Sequence, residues 1–154
     1  MQEIRENAGS RNSEPITVVI DGQPVAKRRP RMTRRGFVYT PAATRKFEAH
    51  GRLSAQLAMD ARPPIEGPVR LEVLAVLPVP VSWSQKKRAR AITSDVLPRS
   101  RPDLDNFVKS AQDAINEIVI RDDSQIVEVG ARKRYGVAPK LVVCLRPLAH
   151  RASI

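Results

Sequence analysis

The sequence predicts a mixed α/β (α+β) fold: a single domain with a small mixed sheet flanked by two main helices. Three observations predict it. Runs rich in β-branched residues at strand length stand near both ends and in the middle of the chain. Two longer segments carry helical signals, a Thr-Pro start at Thr40-Pro41 and an apolar stripe at helical spacing after Leu104. Strands and helices also alternate, separated by Gly and Pro turns, as in a sheet with helices packed on it. The 154 residues, 42% of them hydrophobic, fit one domain with a modest core. The expected division is a tail over residues 1–14, the domain over 15–147 and a C-terminal tail over 148–154.

Residues 16–20, Ile-Thr-Val-Val-Ile, form the first strand, closed by the turn pair Asp21-Gly22. The next stretch is basic. Lys27, Arg28, Arg29, Arg31, Arg34 and Arg35 crowd around Pro30 and Gly36, which predicts a loop or irregular hairpin closing through Phe37, Val38 and Tyr39. Thr40 as cap and Pro41 in the first turn start a helix that runs to about Met59, with Phe47, Leu53 and Leu57 on its apolar side. Arg62-Pro63-Pro64 ends it. Val69, Leu71, Val73, Ala75 and Leu77 then alternate with the period of a strand that has one apolar face, as expected of a central strand.

Pro78 and Pro80 end that strand, and residues 82–93 read as a short basic helix, capped by Ser82 or Ser84 and carrying Lys86, Lys87, Arg88 and Arg90. Residues 94–101 have no periodicity and predict a mobile loop. From Leu104 to about Ile118, Phe107, Ala111, Ala114, Ile115 and Ile118 share one stripe of an amphipathic helix, with Asp105, Lys109, Gln112 and Asn116 on the other side. Two last strands, 126–134 and 141–146, are expected to form a closing hairpin through Tyr135-Gly136 and Pro139.

The charge narrows the function. The chain has 27 Lys and Arg against 16 Asp and Glu, a formal net charge of +11, which attracts polyanions and makes nucleic acid the expected partner. The Lys27 to Arg35 cluster and Lys86, Lys87 and Arg88 are the candidate phosphate contacts. Aromatic residues are only 4% of the chain, so backbone and shape contacts are expected rather than stacking of successive bases. Cys144, the single cysteine, excludes an intramolecular disulfide and a cysteine zinc cluster and suits a reducing, cytoplasmic compartment. No apolar run reaches the length of a membrane span, and the first residues lack the apolar core of a signal peptide. His50 stands alone in a helix and is assigned no chemistry.

Against this basic background, residues 101–126 concentrate carboxylates: Asp103 and Asp105 at the mouth of a helix, and Asp122-Asp123 just beyond its end. Phosphodiester hydrolysis needs an activated water and compensation of charge on phosphate, which carboxylate-bound Mg²⁺ supplies. Mg²⁺ takes hard oxygen ligands and keeps water and phosphate oxygens in its shell, so two to four aspartates suffice. Asp103, Asp105 and Asp123 provide that number if the Asp122-Asp123 segment returns beside the helix mouth, and Lys109, one turn after Asp105, reaches the same volume. Spacing alone equally allows Asp103 as an N-cap, Asp105-Lys109-Asp113 as an ion-pair ladder and Asp122-Asp123 as a turn.

The run Arg101-Pro102-Asp103-Leu104-Asp105-Asn106, with Lys109, Asp113-Ala114-Ile115 and Asp122-Asp123-Ser124-Gln125-Ile126, closely resembles the motif of RusA-type Holliday junction resolvases. Gly22-Gln23-Pro24, the Lys27 to Arg31 cluster, and Ser82-Trp83-Ser84 followed by Lys86-Lys87-Arg88-Ala89 support the resemblance more weakly. It implies a RusA-like fold and a small homodimeric, Mg²⁺-dependent endonuclease that cuts paired strands of four-way DNA junctions symmetrically. It implies Asp103, Asp105 and Asp123 as catalytic carboxylates and metal ligands, Asp122 as the neighbouring candidate ligand and Lys109 as the catalytic-site lysine. Asn106, Asp113 and Gln125 fall on supporting positions. One departure stands out: the family commonly has a glycine between the helix and the Asp-Asp pair, and residues 116–121 here have none. The competing expectations are a non-catalytic basic DNA-binding or architectural protein, and a nuclease acting on other branched DNA.

Overall fold

The structure, a computed structural model, describes residues 14–149; the parts of the expected tails at 1–13 and 150–154 lie outside them. In chain order the elements are β1 (Ile16–Asp21), β2 (Arg31–Met32), β3 (Val38–Tyr39), α1 (Ala42–Met59), β4 (Val69–Pro78), α2 (Gln85–Ile92), α3 (Leu104–Ile115), a 3₁₀ turn (Asp123–Gln125), β5 (Ile126–Gly136) and β6 (Lys140–Pro147). The expected mixed α+β domain is the observed one, with a four-stranded sheet in the order β1-β6-β4-β5 and a separate ribbon of β2 and β3.

Binary patterning explains which face is covered. Ile16, Val18 and Ile20 of β1, Val69, Leu71, Val73 and Ala75 of β4, and Leu141, Val143 and Leu145 of β6 are all buried, at every second position. They form one cluster with Phe47, Ala55 and Met59 of α1 and Phe107, Ala111, Ala114 and Ile115 of α3. The alternate residues of β4 include Arg70 and Glu72, which join Glu128 and Arg146 in a half-exposed ion-pair row.

The closing hairpin is not formed. β5 pairs in parallel with β4, while β6 lies between β1 and β4 and is antiparallel to both. The short connection 137–139 therefore passes the end of β4 instead of turning between neighbours. Burial gives the reason. Leu141, Val143 and Leu145 are fully buried and suit an interior strand, whereas Val127, Glu128 and Val129 are exposed and suit the charged edge that β5 provides. The parallel β4-β5 pair needs a long crossover, which carries α2 and α3.

Three helix details also differ from expectation. Pro41 itself holds the N-cap position of α1, with no side-chain cap, so Thr40 does not cap. The buried stripe of α1 is Thr44, Phe47, Gly51, Ala55 and Met59, leaving Leu53 54% and Leu57 72% exposed. Close approach selects that stripe: a Cβ on Gly51 would lie 2.9 Å from Ala114 Cβ, so glycine lets α1 and α3 meet where a larger residue would hold them apart. Finally, α3 ends at Ile115 rather than near Ile118, because Asn116 is extended and Glu117 turns left-handed at φ 63°. Val119 and Ile120 then bury fully, tied to the approach to β4 by the Ile65 N–H bond to the Val119 carbonyl at 2.7 Å.

Candidate active-site cleft

Asp103 holds the N-cap position of α3 in extended backbone, yet its side chain makes no capping hydrogen bond. Asp105 follows in the first turn, where a carboxylate suits the helix dipole, and pairs with Lys109 Nζ at 3.3 Å. The irregular segment leading to Asp103 is held from a distance. Lys133 of β5 donates from Nζ to the carbonyls of Ser100 at 2.8 Å and Pro102 at 2.9 Å. Asp103 shares a cleft of about 1030 Å³ with Lys27, Arg28, Arg29 and Arg101.

The root of the basic arm is docked on α3. Lys27 N–H donates to the Asn106 carbonyl at 3.0 Å, and Ser110 Oγ donates to the Val25 carbonyl at 2.8 Å. The Lys27 ammonium lies 2.6 Å from Glu48 Oε1 and 2.8 Å from Asp113 Oδ2. Contact with the Asp113 carboxylate, then with that of Glu48, raises the lysine pKa above its ordinary 10.5 against the opposing effect of burial. Lys27 thus joins two helices, and Asp113 pairs with it instead of completing a ladder with Lys109. Beyond this root the arm is exposed: Arg28 and Arg29 reach the cleft, Arg31 lies in β2, and Arg34 and Arg35 lie at the tip between β2 and β3. Lys86, Lys87 and Arg88 are exposed on α2, whose N-cap Ser84 accepts from Lys87 N at 3.3 Å.

The Asp122-Asp123 segment is locked locally. Asp122 Oδ1 accepts from Ser124 N at 2.9 Å, and Gln125 Oε1 accepts from the N–H groups of Arg121 at 2.8 Å and Asp122 at 3.2 Å, a reciprocal capping box. Gln125 Nε2 also donates to the Ile65 and Gly67 carbonyls at 2.9 and 2.8 Å. Hydrogen bonds from Ser124 hold the Asp122 carboxyl below its ordinary 3.8. Asp123, by contrast, opens on a recess of about 300 Å³ with Lys109, Gln112, Asp113, Asn116 and Lys27.

The structure therefore brings Asp123 beside the middle and end of α3, not beside its mouth. Lys109 is common to both places, ion-paired to Asp105 and lining the Asp123 recess. Among the described residues no three His, Cys, Asp or Glu side chains stand close enough to share one metal ion. Carboxylate oxygens are nevertheless the donors Mg²⁺ prefers, and one or two of them with substrate phosphate oxygens complete a typical site. The turn that a family glycine would serve is made by Glu117 in the left-handed region. Sequence reasoning missed Lys133 and Glu48, because nothing local marks a lysine or glutamate whose partner is far along the chain.

A basic cleft with a carboxylate on its wall that makes no capping bond suits contact with a phosphate backbone. Residues 21–146 match the family model Endodeoxyribonuclease RusA, and the chain belongs to that family. It is 36% identical over 141 residues to Uncharacterized protein YqaN of Bacillus subtilis (strain 168), covering 87% of this chain and 97% of that protein. No described helix is long and apolar enough to cross a membrane.

Proposed function

We propose that the protein is a Mg²⁺-dependent, structure-selective endonuclease that resolves four-way (Holliday) junctions by paired, symmetric phosphodiester hydrolysis. It acts in DNA recombination and repair, in the cytoplasm, as a homodimer whose two-fold symmetry presents two sites to opposing strands. The observation that carries this reading is the Asp103 carboxylate. If the motif aspartates merely capped and turned, Asp103 would accept hydrogen bonds from the first turn of α3; it makes none and lines a cleft with Arg28, Arg29 and Arg101. Membership of an endodeoxyribonuclease family supports hydrolysis rather than architecture.

Since no three of them meet at one point, Mg²⁺ would be held by one or two of Asp103, Asp105 and Asp123 and completed by substrate phosphate oxygens, with Asp122 as a further candidate already engaged in the cap. A metal bound there supplies an activated water and neutralises charge on the phosphate. Lys109 keeps a positive charge beside Asp105 and Asp123, where it stabilises negative charge developing on the phosphate oxygens. Arg28, Arg29 and Arg101 grip the strand's phosphates along the cleft. The test is a labelled four-way junction incubated with and without Mg²⁺, comparing wild type with Asp105→Asn. The expected result is metal-dependent symmetric nicking by the wild type, and junction binding without cutting by the variant. Undiminished cutting by Asp105→Asn would remove the site, and binding without any Mg²⁺-dependent nicking would favour an architectural protein.

A further inference from the structure

The only tryptophan of the chain is not in the core. Trp83 is half-buried in the turn ahead of α2, with Lys87 Nζ 3.8 Å from its ring centre. Tyr135 of β5 packs edge-on against it, centroids 5.2 Å apart at 71°. The two rings form one wall of a cavity of about 640 Å³, and the segment carrying Asp95, Leu97 and Arg99 forms another. Ser100 and Tyr135 also line the cleft that holds Asp103. The backbone between the two spaces is held by the Lys133 bonds to Ser100 and Pro102. An aromatic chamber and a carboxylate cleft thus share a fixed partition.

A cavity walled by two aromatic rings, with Lys87 and Arg99 in its lining alongside Asp95 and next to the basic cleft of Asp103, matches a nucleobase and its flanking phosphate. Every base has a face that stacks on an aromatic ring, and the neighbouring charge is negative. Helix α2 carries further exposed cations, Lys86, Arg88 and Arg90. We propose that the Trp83-Tyr135 chamber receives an unpaired nucleobase flanking the phosphate presented to Asp103, with Trp83 as a specificity-determining residue. The base displaces Lys87 from the tryptophan face, and Lys87 then takes the adjoining phosphate. This rests on the reading that the Asp103 cleft holds the scissile phosphate. It also explains how a chain poor in aromatics favours branched over continuous duplex DNA: in an intact duplex every base is stacked on both sides, whereas stacking is interrupted at a branch point and a base there costs less to extrude.

The test uses the full chain and a four-way junction in which the nucleotide flanking the mapped cut is either normal or abasic. In metal-free titrations the emission of Trp83 should change on binding the normal junction, and should not change with the abasic junction or with intact duplex. A single strand giving the same change assigns the chamber to any unpaired base; a change with the junction alone assigns it to the branch point. With Mg²⁺, the abasic nucleotide and Trp83→Leu should each slow single-turnover cleavage roughly tenfold, together no more than either alone, and Trp83→Phe should restore most of the rate. Equal emission changes with normal and abasic junctions would overturn the proposal without reliance on any variant's folding, as would multiplicative effects on cleavage. A base-dependent emission change without cleavage would leave the chamber standing and remove the nuclease reading instead.

Discussion

The two acidic groups of the motif are held in opposite ways. Asp122 and Asp123 sit on a 3₁₀ turn closed by its own side chains, the Asp122 cap and Gln125, and Gln125 also anchors the turn to Ile65 and Gly67. Asp103 and Asp105 sit at a helix mouth with no side-chain cap, and the segment before them is tethered by Lys133 from across the sheet. The contrast teaches a division of labour. Where one aspartate of a pair makes the local structure, its neighbour is left outside the cap. Asp122 makes the turn, and Asp123 opens on the recess with Lys109.

The sharpest way to break that comparison is to change each partner of the pair alone. Asp123→Asn should lower junction cleavage by roughly 10²–10³-fold or more, while Asp122→Asn, which preserves a capping side chain, should keep most of it. Equal losses measured under single turnover would show that both carboxylates act on substrate. Next, Gln125→Ala removes four hydrogen bonds that lock the turn. It should cost about 2–3 kcal/mol in urea unfolding and reduce cleavage with it. At the helix mouth, Lys133→Met frees the carbonyls of Ser100 and Pro102. Cleavage should fall about tenfold, with a rise in proteolytic nicking over residues 94–102 and a stability loss of about 1 kcal/mol. An unchanged cutting rate would mean that the mouth needs no tether.

Two smaller effects test the supports around α3. Ion pairing raises the Lys27 pKa above 10.5, so its contribution is complete below that value and is lost as pH rises through the higher folded value. Thermal melting between about pH 9 and pH 12 should therefore decline more steeply in the wild type than in Lys27→Met. That variant should be less stable by about 1 kcal/mol at neutral pH, since two half-exposed carboxylates lose their cation. Last, Glu117→Gly should stabilise the protein by about 0.5–1 kcal/mol, because it relieves a left-handed non-glycine residue at the exit of α3. A destabilised variant would show that the Glu117 side chain does more than complete the turn.

Most elements were legible because their signals are local. The alternation of β4, the basic helix capped at Ser84 and the stripe of α3 all follow from side-chain period and cap chemistry within one segment. The errors fall where partners decide. Leu53 and Leu57 read as the apolar side of α1, but close contact with Ala114 selected the Gly51 stripe. Adjacent strands β5 and β6 read as a hairpin, but the more fully apolar β6 took the interior place between β1 and β4. In the motif, spacing brought Asp105 and Lys109 together correctly, one helical turn apart. The early left-handed exit at Glu117 set Asp123 beside the Lys109 to Asn116 stretch, farther along α3 than the mouth.

By itself, then, the sequence determined the α+β class, the helix and strand segments, the basic charge and the identity of the motif residues, since period, capping and charge act over a few residues. Only the tertiary structure decided the strand order, the engagement of Lys27 by Glu48 and Asp113, the Lys133 tether and the meeting of Trp83 with Tyr135. Those depend on contacts between segments distant in the chain, where burial and close packing select one partner among many that local chemistry would allow.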